Sequence, residues 1–331
     1  MARRAGFEDV TTAAVGDHLR IGLAQISPVL LDRARTLEKV EEAVTEAADA
    51  GCALVAFGEA LVPGYPFWLE RTDGARFDSP LQKELHAAYL DQAVQPESGH
   101  LDGIGRLAAQ RGIQVVLGCV ERAADRGGHS LFAAFVWIDA TGKIAAVHRK
   151  LMPTYEERLS WAPGDGNGLR VHEAGPFTAG ALNCWENWMP LPRAALYGLG
   201  EDLHLALWPG GEHNTRDVTL FLAREGRSYV ASVSGFMRRD DLAASAPHRD
   251  ALLSAFPEIL ANGGSCVAGP DGAWVVPPVV GREGLIVADL DHARVRAERQ
   301  NFDAAGHYAR PDVTRLVVNR RRLATVELED G

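Results

Sequence analysis

The 331-residue sequence is poor in several residue types that would simplify its reading: four cysteines, four methionines and 7% aromatic residues. Cys52, Cys119, Cys184 and Cys266 form no C-x-x-C pair, and their spacing fits neither a zinc site nor a small disulfide scaffold. The eleven histidines show no H-x-x-x-H or H-E-x-x-H spacing, so no metal and no other cofactor is expected. The glycine-rich run Gly164-Asp165-Gly166-Asn167-Gly168 lacks both G-x-G-x-x-G and a P-loop ending, and reads as a loop. Positive charge is in deficit. A net charge of −10 argues against nucleic acid or an anionic membrane as the main partner. No apolar run approaches the ~18 residues of a membrane span, and Met1-Val10 holds no signal-peptide core. A reduced, cytoplasmic protein is expected.

What is present is a globular composition, 47% hydrophobic and 24% charged, with enough length to bury a sizeable core. Leu19-Gln25, Ala53-Phe57, Gln114-Val120, Phe177-Leu182, Leu203-Leu207, Ser228-Val233 and Gly284-Asp289 read as strands. Between the first two, Leu37, Val40, Val44 and Ala47 recur at helical spacing, and Gly51 ends the helix. Further helices are expected at Leu101-Gln110, Leu191-Leu199 and about 215–227. Leu131-Asp139 and Lys143-His148 read as a hairpin across Ala140-Thr141-Gly142, and a strand pair is expected around Gly269-Pro270-Asp271-Gly272. The alternation implies an α/β fold with helices outside a sheet core. With no linker-like stretch, one domain is expected. Pro63-Gln95 and Arg238-Pro257 are less regular and are candidates for pocket walls or interfaces, while Val313-Gly331 reads as a tail with strand character and an acidic end.

The string Leu182-Asn183-Cys184-Trp185-Glu186-Asn187-Trp188-Met189-Pro190 is the most informative. It puts a thiol between a strand and a helix, where backbone N–H groups bind an oxyanion, which is a nucleophile's position. Glu59 follows another strand and precedes the aromatic turn through Tyr65 and Trp68. It is either a solvated loop carboxylate or a desolvated base working near neutrality. Lys150 also ends a strand, as a surface residue or as the cation beside a low-pKa thiolate. Glu157 could orient that lysine or a water. If the three strands share one sheet and one direction, Glu59, Lys150 and Cys184 meet at its carboxyl edge and form a nucleophilic set. Tyr65, Tyr155, Trp185, Trp188 and Trp208 are candidate substrate contacts. His148, His204 and His213 read as hydrogen-bonded structural groups, and the other three cysteines as core.

Glu59 within Phe57-Gly58-Glu59-Ala60-Leu61-Val62-Pro63-Gly64-Tyr65-Pro66, Lys150 within His148-Arg149-Lys150-Leu151, and Cys184-Trp185-Glu186-Asn187 resemble the nitrilase, or carbon–nitrogen hydrolase, superfamily, and its nitrilase branch in particular. The resemblance spans about 18–312, leaving 1–17 as an N-terminal extension and 313–331 as a tail. It implies an α-β-β-α sandwich, a Glu59-Lys150-Cys184 triad with Glu157 as a fourth site residue, and association into homo-oligomers from dimers to spirals. The chain departs from the usual nitrilase pattern at Gly58, Tyr155 and Trp208-Pro209-Gly210-Gly211, which bears on substrate range. The implied reaction is hydrolysis of a nitrile to a carboxylic acid and ammonia. Three alternatives stay open: an amidase or carbamoyl hydrolase with the same triad, a hydratase acting on cyanide, and a non-catalytic assembly protein.

Overall fold

In β1 (His18–Gln25) the side chains alternate: Leu19, Ile21 and Leu23 enter one apolar layer and Ala24 another. The computed structural model describes residues 16–326, so all but two residues of the expected N-terminal extension lie outside it. After β1 come α1 (Arg33–Asp49), β2 (Leu54–Phe57), α2 (Trp68–Arg71), α3 (Pro80–Gln92), α4 (Asp102–Arg111), β3 (Gln114–Arg122), β4 (Leu131–Ile138) and β5 (Ile144–Arg149). The second half runs β6 (Val171–Ala174), β7 (Phe177–Asn183), α5 (Pro190–Gly198), β8 (Leu203–Trp208), α6 (Glu212–Gly226) and β9 (Tyr229–Ser234). It closes with β10 (Phe236–Arg238), α7 (Arg249–Ala255), β11 (Ile259–Ala268), β12 (Trp274–Val280), β13 (Gly284–Asp291) and α8 (His292–Glu298).

The strands form two sheets, ordered β13-β1-β2-β3-β4-β5 and β10-β11-β9-β8-β7-β6, with β12 on β11. Leu19, Ile21, Leu54 and Val116 of the first sheet pack against Ala179, Ala181, Leu205 and Ala231 of the second. Helices α1 and α4 cover the first sheet's outer face through Val40, Val44, Ile104 and Ala108. On the second sheet's outer face, α6 buries Val218, Leu222 and Ala223. The result is the α-β-β-α sandwich that the resemblance implied. Within each half the central strands are parallel and buried on both faces, which is why they read as unbroken apolar runs.

Two expectations need correction. The strands that carry Glu59, Lys150 and Cys184 do not share a sheet: β2 and β5 lie in the first, β7 in the second. Stacking of the sheets, not membership of one, brings their ends together. The tail has no strand over its described residues, 313–326. It is coil held by side-chain anchors: Arg322 pairs with buried Asp165 at 3.0 Å and donates to Val147 O at 2.8 Å, and Asn167 Nδ2 donates to Arg320 O at 3.1 Å. Its acidic end lies outside the described residues. The two irregular segments pack together, Trp68, Leu69, Leu85 and Tyr89 forming a third core with Leu242, Leu252 and Phe256.

Candidate active site

The chain leaves β2 and turns sharply at Glu59. The Glu59 N–H donates to Trp208 O at 3.1 Å, which ties this turn of the first sheet to the end of β8 in the second. Ala60 follows with φ +52. Just past β5, the Lys150 N–H donates to Ala133 O at 2.8 Å, and the Lys150 carbonyl accepts from Gly164 N–H at 2.7 Å. Glu157 sits in the one-turn helix Tyr155–Leu159, where its Oε2 accepts from the Thr154 N–H at 2.6 Å. Cys184 opens a one-turn helix, Cys184–Trp188, directly after β7 and has φ +47. Left-handed backbone at Ala60, Tyr155 and Cys184 thus marks all three turns, at a cost on the order of 1–3 kcal/mol each.

These turns converge. The Lys150 ammonium is buried 2.8 Å from Glu59 Oε1 and donates to Glu157 Oε2 at 2.7 Å. A carboxylate oxygen of each glutamate and the Cys184 sulfur all lie within 4.8 Å of one another. The Lys150 ammonium supplies a cation to both carboxylates. Tyr65 completes the ring by donating to Glu157 Oε1 at 2.9 Å. Glu59 is paired with Lys150 through Oε1, while its Oε2 has no hydrogen-bond partner among the described residues.

Burial decides the protonation states. It pushes the Glu59 carboxyl from 4.5 up to about 8, against the opposing pull of Lys150. Burial would lower the Lys150 ammonium, but Cys184, Glu59 and Glu157 outweigh it and hold the ammonium above its ordinary value. The Cys184 thiol is held well above its ordinary range by burial and by Glu59 and Glu157, with Lys150 and the Trp185 N–H opposing. This corrects the expected low-pKa thiol. The thiol is held protonated, with the Glu59 carboxyl beside it.

The remaining sequence-predicted contacts divide. Tyr65 lies within the site, its ring 5.5 Å from that of Trp161, a residue the sequence reading missed; the Lys150 ammonium is 5.8 Å from the same Trp161 ring. Trp185 and Trp188 are 51% and 45% exposed and stand 6.3 Å apart on the surface. Tyr155 is 82% exposed. Trp208 is fully buried against α6, its indole donating to Ser232 Oγ at 3.3 Å. Its neighbour Pro209, with Leu61, Tyr65, Phe67 and Phe236, lines a cavity of about 10 Å³ over Glu59, room for about one water.

Behind Cys184 runs a buried polar chain. Asn187 Nδ2 donates to Cys184 O at 2.8 Å, Asn187 Oδ1 meets His204 Nε2 at 2.7 Å, and His204 Nδ1 meets Glu201 Oε1 at 2.8 Å. His148 contacts Glu186 at 3.0 Å. Both histidines are the hydrogen-bonded groups expected. Glu186 and Asn187 stood in the flagged string, but no pattern in the sequence pointed to Glu201.

Two stacked sheets thus bring a buried thiol, a proton-accepting carboxylate and an ammonium together at their facing edges. The chain is a member of the carbon–nitrogen hydrolase family, whose sequence model matches residues 20–300, and so a hydrolase of carbon–nitrogen bonds other than peptide bonds. Within that family it falls in the nitrilase branch. Nitrilase 2 of Arabidopsis thaliana is 34% identical over 307 residues, covering 91% of this chain and 88% of that protein. A bifunctional nitrilase/nitrile hydratase of Oryza sativa subsp. japonica is 34% identical over 308 residues, 91% of this chain and 84% of its own. Among solved structures, a mutant of the Nesterenkonia AN1 amidase from the nitrilase superfamily shares the fold, with a TM-score of 0.63 at 20% identity over 86% of this chain and 95% of that one.

Proposed function

We propose that this protein hydrolyses an organic nitrile to its carboxylic acid and ammonia, with Cys184 as nucleophile, Glu59 as general base and Lys150 and Glu157 completing the set. One observation carries the reading: the Lys150 ammonium bridges two buried carboxylates, each with an oxygen within 4.8 Å of the Cys184 sulfur. Glu59 takes the thiol proton as the sulfur bonds to the nitrile carbon, and that proton passes to the nitrile nitrogen to give a thioimidate. Lys150 and the Trp185 N–H offset charge developing at nitrogen and later at oxygen. Glu59 next deprotonates a water that adds to the thioimidate carbon. The nitrogen takes that proton from Glu59 and a second from the new hydroxyl, the C–N bond breaks, ammonia leaves, and an acyl-thioester remains. A second water, activated the same way, cleaves the thioester and returns the proton to sulfur. Covalent catalysis suits this reaction because a thiolate attacks a nitrile where water alone is slow.

The chemistry branches at the first tetrahedral adduct: breaking C–S instead of C–N releases the amide. The rice relative, named for both nitrilase and nitrile hydratase, supports measuring that branch. The test is release of ammonia, carboxylate and amide from a panel of nitriles and matching amides, beside Cys184→Ala and Cys184→Ser. Nitrile turnover lost in both variants is the expected result, since an alcohol is far less ionised than a thiol. Turnover of amides alone would move the protein to the amidase side of the family. Cyanide consumption would reveal the hydratase variant.

The same proposal takes residues 18–312 as the catalytic domain and the working form as a homo-oligomer in the cytoplasm. Leu191 on α5, Phe221 on α6, and Trp185 and Trp188 are exposed, apolar surface that a second copy would cover. Four buried, unpaired cysteines suit a reducing compartment. Among the described residues no helix is long and apolar enough to cross a membrane. Light scattering and cell fractionation test these points.

A further inference from the structure

The Glu186 side chain is fully buried, and its partners come from both sheets. From the first sheet, Leu151 N–H donates to Oε1 at 2.7 Å, and His148 Nε2 lies 3.1 and 3.0 Å from Oε1 and Oε2. From the second, Asn183 N–H donates to Oε2 at 2.9 Å. Leu151 directly follows Lys150, and Asn183 directly precedes Cys184. One carboxylate therefore bonds the backbone beside both functional side chains.

The two sheets otherwise meet mainly through apolar and aromatic side chains, and the hydrogen bonds Ser265 N–H to Gln25 Oε1, Gln114 Nε2 to Glu173 O and Tyr229 OH to Asp291 O that also cross between them involve neither Lys150, Cys184 nor their chain neighbours. Apolar packing is non-directional and tolerates small sliding movements. Fixed N–H groups bonded to one charged acceptor do not tolerate them. The Glu59 N–H to Trp208 O bond also links the sheets, but it holds neither Lys150 nor Cys184. We propose that Glu186 is a positioning residue which sets the Lys150 ammonium relative to the Cys184 sulfur by pinning the end of β5 to the end of β7. For turnover the proposal rests on the nitrile-hydrolase reading; for thiol reactivity it does not.

The test is Glu186→Asp, which keeps the charge but is one methylene too short to reach both sheets. Cys184 is faced by Glu59 and Glu157, which hold its proton on, and by Lys150, which favours the thiolate. Loosening Lys150 alone should raise the pH midpoint of Cys184 alkylation by iodoacetamide, followed by peptide mass spectrometry, by about one unit. For a nitrile that wild type turns over, kcat should fall at least about tenfold while KM changes by less than about threefold. A side chain that only stabilises the fold would lower Tm and leave midpoint and kcat unchanged below the transition, and that result overturns the proposal. If the Asp variant does not fold, Glu186→Gln serves. It keeps the Leu151 bond but offers Asn183 no second acceptor, so reduced kcat supports the proposal and wild-type kcat overturns it. A wild type that hydrolyses no nitrile would sink the functional reading, while the alkylation comparison would still decide this one.

Discussion

Tyr65 and Glu157 meet through one 2.9 Å hydrogen bond, from the phenol to Oε1. Oε2 is thereby left to Lys150 and the Thr154 N–H. A bond to a charged acceptor is worth about 1.5–3 kcal/mol, and about 1.4 kcal/mol is tenfold in rate. Tyr65→Phe keeps the ring against Trp161 and should lower kcat about tenfold, with Tm changed by no more than a few degrees. Steady-state kinetics and a melting curve check this.

The pH profile follows from Glu59. Its carboxyl is lifted to about 8, and as the proposed base it would work only when ionised, so kcat/KM should rise through an acid limb near pH 8. The stability effect has the opposite sense. A folded-state pKa above the unfolded value of 4.5 gives stability that is present below pH 4.5 and lost as pH rises through about 8. Glu59→Gln should therefore be inactive yet melt higher than wild type at pH 8 and above, with the gap closing toward pH 5. Equal melting temperatures across that range would refute the assignment.

Lys150 separates two buried carboxylates. Lys150→Met leaves them uncompensated, and removing one partner of a buried ionic group typically costs about 3–5 kcal/mol. The variant should lose turnover and should melt well below wild type at pH 9. At pH 6, where Glu59 can hold a proton, the deficit should shrink.

Gly118 lies in β3 directly under the Glu59 turn. A Cβ there would stand 1.9 Å from Gly58 O and 2.9 Å from Glu59 Cα. Backbone must move, and the Glu59 turn is what would move. Gly118→Ala should cut kcat by more than tenfold and lower Tm, although the site is chemically untouched. Wild-type kinetics would show that the β3–Glu59 approach is looser than drawn.

The sequence made the alternation of strands and helices readable wherever a buried parallel strand is an apolar run, as at Leu54–Phe57 and Leu203–Trp208. It also revealed Cys184, because a polar-aromatic string behind a strand has no packing reason to exist. The division into two sheets was not legible from strand pattern, since a strand's apolar period says nothing about which neighbour it pairs with. Helix α3 escaped notice because it buries only Leu85 and Tyr89, too narrow a stripe to stand out. The tail from Val313 read as having strand character, yet Arg322 and Asp165 fix its path without any ladder over its described residues. Trp208 looked like a pocket wall; its carbonyl, not its ring, serves the site by holding Glu59.

The pairing of β1 with β13, His18 opposite Asp291, bears on how the enzyme is made. Glu59, Lys150 and Cys184 all leave the ribosome well before Gly284, yet the sheet of Glu59 and Lys150 has an open edge at β1 until β13 arrives. Closing it is among the most non-local steps in the fold, of the kind that sets a slow rate. A chain terminated before Gly284 carries every functional side chain and an unpaired β1 edge that invites association with other chains. Premature termination should thus give an aggregating fragment and not a smaller enzyme, an expectation that sedimentation and turnover of a 1–283 fragment check.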